Sequence, residues 1–217
     1  MRVVIAGGHG KIALWLTGLL AKRGDAVVGI VRNPDHTTDV RDAGGDVAVL
    51  DLEQASTDEI AAVLSGADAA VFAAGAGPGS GTDRKDTVDR AASALLADAA
   101  ELASVPRYLQ ISAMGLDRAD DPAVEPVFAA YLRAKLAAEQ DLTGRALLWT
   151  VLRPGRLTDD PATGLVHLTQ HVGYGSVSRQ DVATVLVGLL DSPRTAGRVL
   201  ELVGGTIPVE QALADLA

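Results

Sequence analysis

Arg2-Val3-Val4-Ile5-Ala6-Gly7-Gly8-His9-Gly10-Lys11-Ile12-Ala13 is the stretch that decides the fold. Residues 2–6 form a short run rich in β-branched side chains, which reads as a buried strand. Glycines then break the pattern. From Lys11 to Arg23 apolar residues recur at Ile12, Trp15, Leu16, Leu19 and Leu20, a helical stripe that Gly24-Asp25 ends. Strand, glycine turn and helix follow one another directly, which makes a first βα unit.

The alternation repeats downstream. Ala26–Arg32 reads as a second strand, punctuated by Asn33-Pro34-Asp35, and Asp46–Leu50 as a third. Thr57–Leu64 is predicted helical and Ala69–Ala74 is a fourth strand. GAGPGSGT (75–82) carries too much Gly and Pro for regular structure. Arg84–Leu102 reads as one long Ala-rich helix, Arg107–Ser112 as a fifth strand, Glu125–Leu142 as a helix and Leu147–Arg153 as a sixth strand. Ser178–Leu190 is a helix with Ser178 as N-cap and Asp181 at N3, Val199–Val203 a seventh strand, and Pro208–Leu216 a last helix. This pattern predicts an α/β fold of Rossmann type: a doubly wound parallel sheet in three layers. The elements use nearly all of residues 1–217, so a single domain is expected. Only the irregular segments around 75–84 and 156–177 are left to build a substrate region.

Composition excludes several classes. The chain is 48% hydrophobic but only 3% aromatic, so its core is aliphatic and it is not disordered. Its 23 glycines show no three-residue period. A net charge of −9 repels phosphate backbones, so no nucleic-acid partner is expected, although one local basic pocket remains open. With no cysteine there are no disulfides, thiolate chemistry, Fe–S clusters or Cys-based zinc sites. No metal is expected either, because His167 and His171, four apart, lie on no clear helical stripe. The longest apolar stretches, 12–21 and 182–190, fall short of a bilayer span, and the run before Gly7 is too short for a secretory signal. The expectation is a cytoplasmic monomer or homodimer without a membrane partner.

The glycine turn has the form GxxGxxA. Gly7 allows the tight turn, Gly10 lets backbone approach a pyrophosphate, and Ala13 lets the helix pack close. The anion would sit at the helix N-terminus, beside His9, Lys11 and Ile12, with His9 expected as a backbone contact. The end of the second strand, Gly29-Ile30-Val31-Arg32-Asn33-Pro34, has no acid to take a ribose 2′-hydroxyl. Arg32 stands where a 2′-phosphate would lie, which favours NADP over NAD; a solvated strand-end charge is the plainer alternative. Asp51-Leu52 would lie near the adenine, and Ala74 and Gly75 let the dinucleotide pass the fourth strand.

On AGGHGKIA (6–13), VRNPDH (31–36), DLE (51–53), YLRAK (131–135), VLRPGRLTDDPATG (151–164) and SRQDVA (178–183), the chain resembles the short-chain dehydrogenase/reductase superfamily, in its atypical NAD(P)H-binding, NmrA-like branch. The resemblance covers essentially the whole chain. It implies a Tyr-x-x-x-Lys pair plus a serine, met here by Tyr131, Lys135 and Ser112. Residues i and i+4 share a helix face, so the Lys135 ammonium is expected to lower the Tyr131 phenol from its usual ~10. Tyr131 would then exchange a proton with a substrate oxygen while hydride passes to or from the nicotinamide. The resemblance also implies that Lys135 binds the nicotinamide ribose and that Ser112 polarises the substrate oxygen. Where family members often carry a second serine, this chain has Ala113. Pro154, in the Arg153-Pro154-Gly155 turn, would lie over the nicotinamide, the chain leaving the sheet there. The function implied is an NADP(H)-dependent oxidoreductase of a small carbonyl, quinone or flavin-type substrate. Two other readings stay open: a non-catalytic NADP(H)-binding regulator or redox sensor, and an epimerase or dehydratase on the same fold.

Overall fold

The computed structural model describes residues 1–77 and 79–216; Pro78, within the glycine-rich segment, and Ala217 lie outside the described residues. In chain order the elements begin β1 (Arg2–Ala6), α1 (Lys11–Arg23), β2 (Ala26–Val31), α2 (Thr37–Asp42), β3 (Asp46–Val49), α3 (Thr57–Leu64) and β4 (Ala69–Phe72). A short α4 (Thr82–Arg84) runs through a π-helical turn, Lys85–Ala91, into α5 (Ala92–Leu102). Then come β5 (Arg107–Ile111), α6 (Pro126–Thr143), β6 (Leu148–Pro154), β7 (Arg156–Thr158), β8 (Leu165–Thr169) and β9 (Ser176–Ser178). The last elements are α7 (Arg179–Leu190), β10 (Arg198–Gly204), β11 (Ile207–Pro208) and α8 (Val209–Ala214).

Nine strands form one sheet in the order β11-β8-β10-β6-β5-β4-β1-β2-β3. From β3 to β10 every neighbouring pair is parallel, and the order reverses between β1 and β4. Ligands bind at such a reversal, outside the carboxyl ends of the strands. Helices cover both faces. Ile12, Leu16 and Leu20 of α1 pack with Val182, Leu186 and Leu189 of α7 on one face. Ile60 and Leu64 of α3 pack with Leu96 and Ala100 of α5 on the other. Parallel strands covered in this way carry apolar residues on both sides, and β4 and β5 are buried throughout. Among the described residues no helix is long and apolar enough to cross a membrane.

Caps explain several boundaries. Ser56 and Glu59 form a reciprocal capping box at α3. Glu125 accepts from the amides of Val127 and Phe128, and Pro126 takes the first turn of α6, where no amide hydrogen is needed. Ser178 caps α7 by accepting from the Asp181 amide at 2.9 Å, as its spacing predicts.

The structure corrects the sequence reading in five places. Segment 156–177 is not irregular. β8 joins the main sheet antiparallel to β10, β11 pairs with β8, and β7 and β9 form a parallel pair of their own. The chain does not leave the sheet at Pro154, which pairs with Leu202 inside β6, and Gly155 carries the ladder onward by donating to the Leu202 carbonyl at 2.8 Å. The helix expected over 84–102 is interrupted, because the π-helical turn draws Lys85, Val88 and Asp89 into the interior. A short α2 precedes β3, where no element was expected. Trp15 is half exposed, so the buried stripe of α1 runs through Ala13 instead.

Candidate functional site

A cavity of about 310 Å³ opens at the carboxyl ends of β1, β2 and β4. Gly7, His9, Gly10, Arg32, Asp51, Leu52, Ala74 and Gly75 all line it. Four expected cofactor residues lie outside its lining: Lys11, Ile12, Pro154 and Lys135. Ile12 is buried in the core, and Pro154 holds the Met114 amide with its carbonyl at 3.2 Å. Lys11 is two-thirds exposed and pairs with Asp159 at 2.5 Å, beside a second cleft that Trp15 also lines.

The floor of the cavity is the glycine turn. Gly7 sits at φ +79°, and a Cβ there would lie 2.6 Å from the Ala74 Cα. No larger residue fits between β1 and the exit of β4. Gly10 is the extended N-cap of α1, with no side-chain cap and no acid in the first turn. Among the described residues the first-turn amides and the positive end of the helix dipole therefore lack a side-chain partner, which fits a dinucleotide pyrophosphate.

The far end of the cavity is charged. Arg32 Nη1 donates to Glu53 Oε2 at 3.0 Å, and Arg84 Nη2 donates to the same oxygen at 2.7 Å. Thr87 Oγ1 donates to Glu53 Oε1 at 2.6 Å. The hydrogen bond from Arg84, then that from Thr87, holds the Glu53 carboxyl below the usual carboxylate range. The His9 side chain is held within the protein. Its ring stacks on His36 at 3.6 Å between centroids and reaches Asp39 at 2.6 Å.

Ser112, Tyr131 and Lys135 lie outside the cavity lining, and Lys135 reaches its edge at Ala74. Lys135 donates to the Ile111 carbonyl at 3.2 Å and the Ala74 carbonyl at 3.5 Å. Its ammonium also lies 3.2 Å from Asp89 Oδ1, an ion pair without a well-directed hydrogen bond. Asp89 is fully buried, and its other oxygen accepts from the Ala76 amide at 3.2 Å. Tyr131 stacks on Phe128 and has the ammoniums of Lys85 and Lys135 at 5.5 and 5.9 Å from its ring centre. The expected lowering of the phenol is reversed: burial, and then the charge of Asp89, push Tyr131 upward. Burial pulls the Lys135 ammonium down, against the opposing pull of Asp89. Ser112 is buried, and its hydroxyl has no hydrogen-bond partner among the described residues.

Sequence reasoning missed Glu53, Arg84, Thr87 and Asp89. Glu53 stands in the DLE stretch next to Asp51-Leu52, so its position was readable there. Asp89 is an acid on an Ala-rich helix, where solvent is the default expectation. Arg84 and Thr87 give no local signal.

Residues 7–193 match the model of a family described as NAD(P)H-binding. Over 219 residues the chain is 32% identical to "Uncharacterized sugar epimerase YhfK" of Bacillus subtilis, with all of both chains covered. Among solved structures it is similar to a Bacillus halodurans protein provisionally described as an NAD-dependent epimerase/dehydratase, at 31% identity and a TM-score of 0.92, covering 99% of each chain. It is also similar to the oxidoreductase YlbE of Lactococcus lactis, at 25% identity and a TM-score of 0.86, covering 100% of this chain and 96% of that one. The fold is thus shared with oxidoreductase-type and epimerase-type proteins. Because the match runs from the glycine turn through the Tyr131–Lys135 helix and α7, the chain belongs to the NAD(P)H-binding family, in the atypical branch of the short-chain dehydrogenase/reductase superfamily.

Proposed function

We propose that this protein is an NADP(H)-dependent oxidoreductase, a single-domain reductase or dehydrogenase of a small carbonyl, quinone or flavin-type substrate. The observation that carries the reading is the meeting of Arg32 and Arg84 on one carboxylate at the far end of the cavity. Two guanidiniums against one acid leave net positive charge where a dinucleotide would carry its 2′-phosphate. When bound, the cofactor supplies the hydride. The chain's own groups do the rest. The first turn of α1 holds the pyrophosphate. Tyr131, kept protonated by its burial, gives a proton to the substrate oxygen. The Ser112 hydroxyl, which has no hydrogen-bond partner among the described residues, hydrogen-bonds that same oxygen. Lys135, fixed by Asp89 and two carbonyls, binds the nicotinamide ribose.

Arg32→Ala tests the cofactor assignment. NADPH affinity should fall about tenfold to a hundredfold, with NADH affinity nearly unchanged. Equal losses for both would sink it. A turnover panel of carbonyls, quinones and flavins tests the activity, and tight NADPH binding with no turnover on any of them would favour a regulator.

An epimerase is the second reading, favoured by the full-length similarity to the Bacillus subtilis protein described as a sugar epimerase. It predicts substrate conversion with no net change in NADPH absorbance.

A further inference from the structure

Three segments distant in sequence meet on Glu53. Arg32 comes from just beyond β2, Glu53 from just beyond β3, and Arg84 with Thr87 from the segment after the glycine-rich loop. The Glu53 side chain is only 18% exposed, whereas those of Arg32 and Arg84 are 53% and 39% exposed. A carboxylate that accepts from two guanidiniums resembles one edge of a phosphate. A phosphate carries more charge and three acceptor oxygens.

We infer that Glu53 is a selectivity residue for the dinucleotide, an internal stand-in for the 2′-phosphate that lets one site accept both cofactors. The inference rests on reading the cavity as the NADP(H) site. With a 2′-phosphate present, Arg32 and Arg84 turn to the phosphate, and Glu53 keeps Thr87. The Glu53 carboxylate then faces a like charge, which weakens binding. With a 2′-hydroxyl the arginines stay on Glu53, so neither cation is left unpaired. Glu53 therefore works against the phosphorylated cofactor, and Arg84 works for it as a second guanidinium beside Arg32.

Calorimetric titration of the full chain separates these roles. The probes are adenosine 2′,5′-bisphosphate and adenosine 5′-monophosphate, which differ only at the 2′ position. Glu53→Gln keeps an acceptor for Thr87 but removes the charge. It should raise bisphosphate affinity about tenfold and leave monophosphate affinity within about twofold. Arg84→Gln should lower bisphosphate affinity about tenfold. If Glu53→Gln leaves bisphosphate affinity unchanged or weaker while Arg32→Ala still abolishes it, the inference is overturned and the NADP(H) reading stands. If Arg32→Ala alters neither ligand, both fall together. Should Glu53→Gln fail to fold, unchanged bisphosphate affinity in Arg84→Gln overturns the inference.

Discussion

Lys135 stands 3.2 Å from Asp89 but 5.9 Å from the ring centre of Tyr131, four residues earlier on its own helix. Helical spacing gave the two residues a common face, but the buried acid on the π-helical turn took the ammonium. Asp89→Asn would leave Lys135 charged, buried and held only by carbonyls. The expected loss is about 3–5 kcal/mol of stability, measured by urea denaturation. Adding Lys135→Met should restore part of it. A single variant within about 0.5 kcal/mol of wild type would show that the pair does not hold this end of the site together.

Tyr131→Phe should lower turnover by about a hundredfold or more while NADPH affinity stays within about twofold. Burial and Asp89 push the phenol upward, so it keeps its proton through the neutral range. The rate of substrate reduction should therefore show no tyrosine-linked decline between roughly pH 6 and 9. A wild-type rate that falls across that interval, with the fall absent from the Phe variant, would mean that the phenol ionises there.

Glu53 makes a stability contribution that depends on pH. Its carboxyl is lowered in the folded chain, first by Arg84 and then by Thr87. The unfolded chain therefore binds the proton more readily. The contribution is fully present above the ordinary glutamate value and is lost as pH falls through the lowered folded value. Glu53→Gln should be less stable than wild type at neutral pH and converge with it in acid. Parallel denaturation curves at every pH would refute this.

Gly7→Ala should cost about 2–4 kcal/mol, because the added Cβ meets backbone at Ala74 in a conformation that side chains rarely adopt. Thermal melting would show the loss. A wild-type melting temperature would mean that the turn can relax away from β4.

Local pattern carried the parallel part of the fold. The bounds of β1, α1 and α3 follow directly from residue periodicity and agree with the structure residue for residue. β8 was also readable, since Val166 and Leu168 are buried between exposed Leu165, His167 and Thr169, the alternation of a half-buried strand. The Gly and Pro residues around it suggested a loop instead. The π-helical turn left no local mark, because Asp89 is drawn inward by a lysine forty-six residues later. The glycine turn and Arg32 were legible, since each sits at a strand end that topology alone sends to the cavity. Glu53 and Arg84 were not read as a pair, because their ion pair spans thirty-one residues and no periodicity links them.

The two antiparallel strands at the margin of the sheet also bear on aggregation. Without them the sheet would end on β10, seven residues long with Leu200, Leu202 and Val203 buried, a ready template for a strand from another molecule. β8 covers its outer part instead, and β11 then adds only Ile207 and Pro208. Proline has no amide hydrogen to extend a ladder. The opposite margin, β3, is four residues long and begins on exposed Asp46. Neither border offers a long, flat, apolar row of free amides, so the fold discourages edge-to-edge fibre growth while keeping its parallel interior intact.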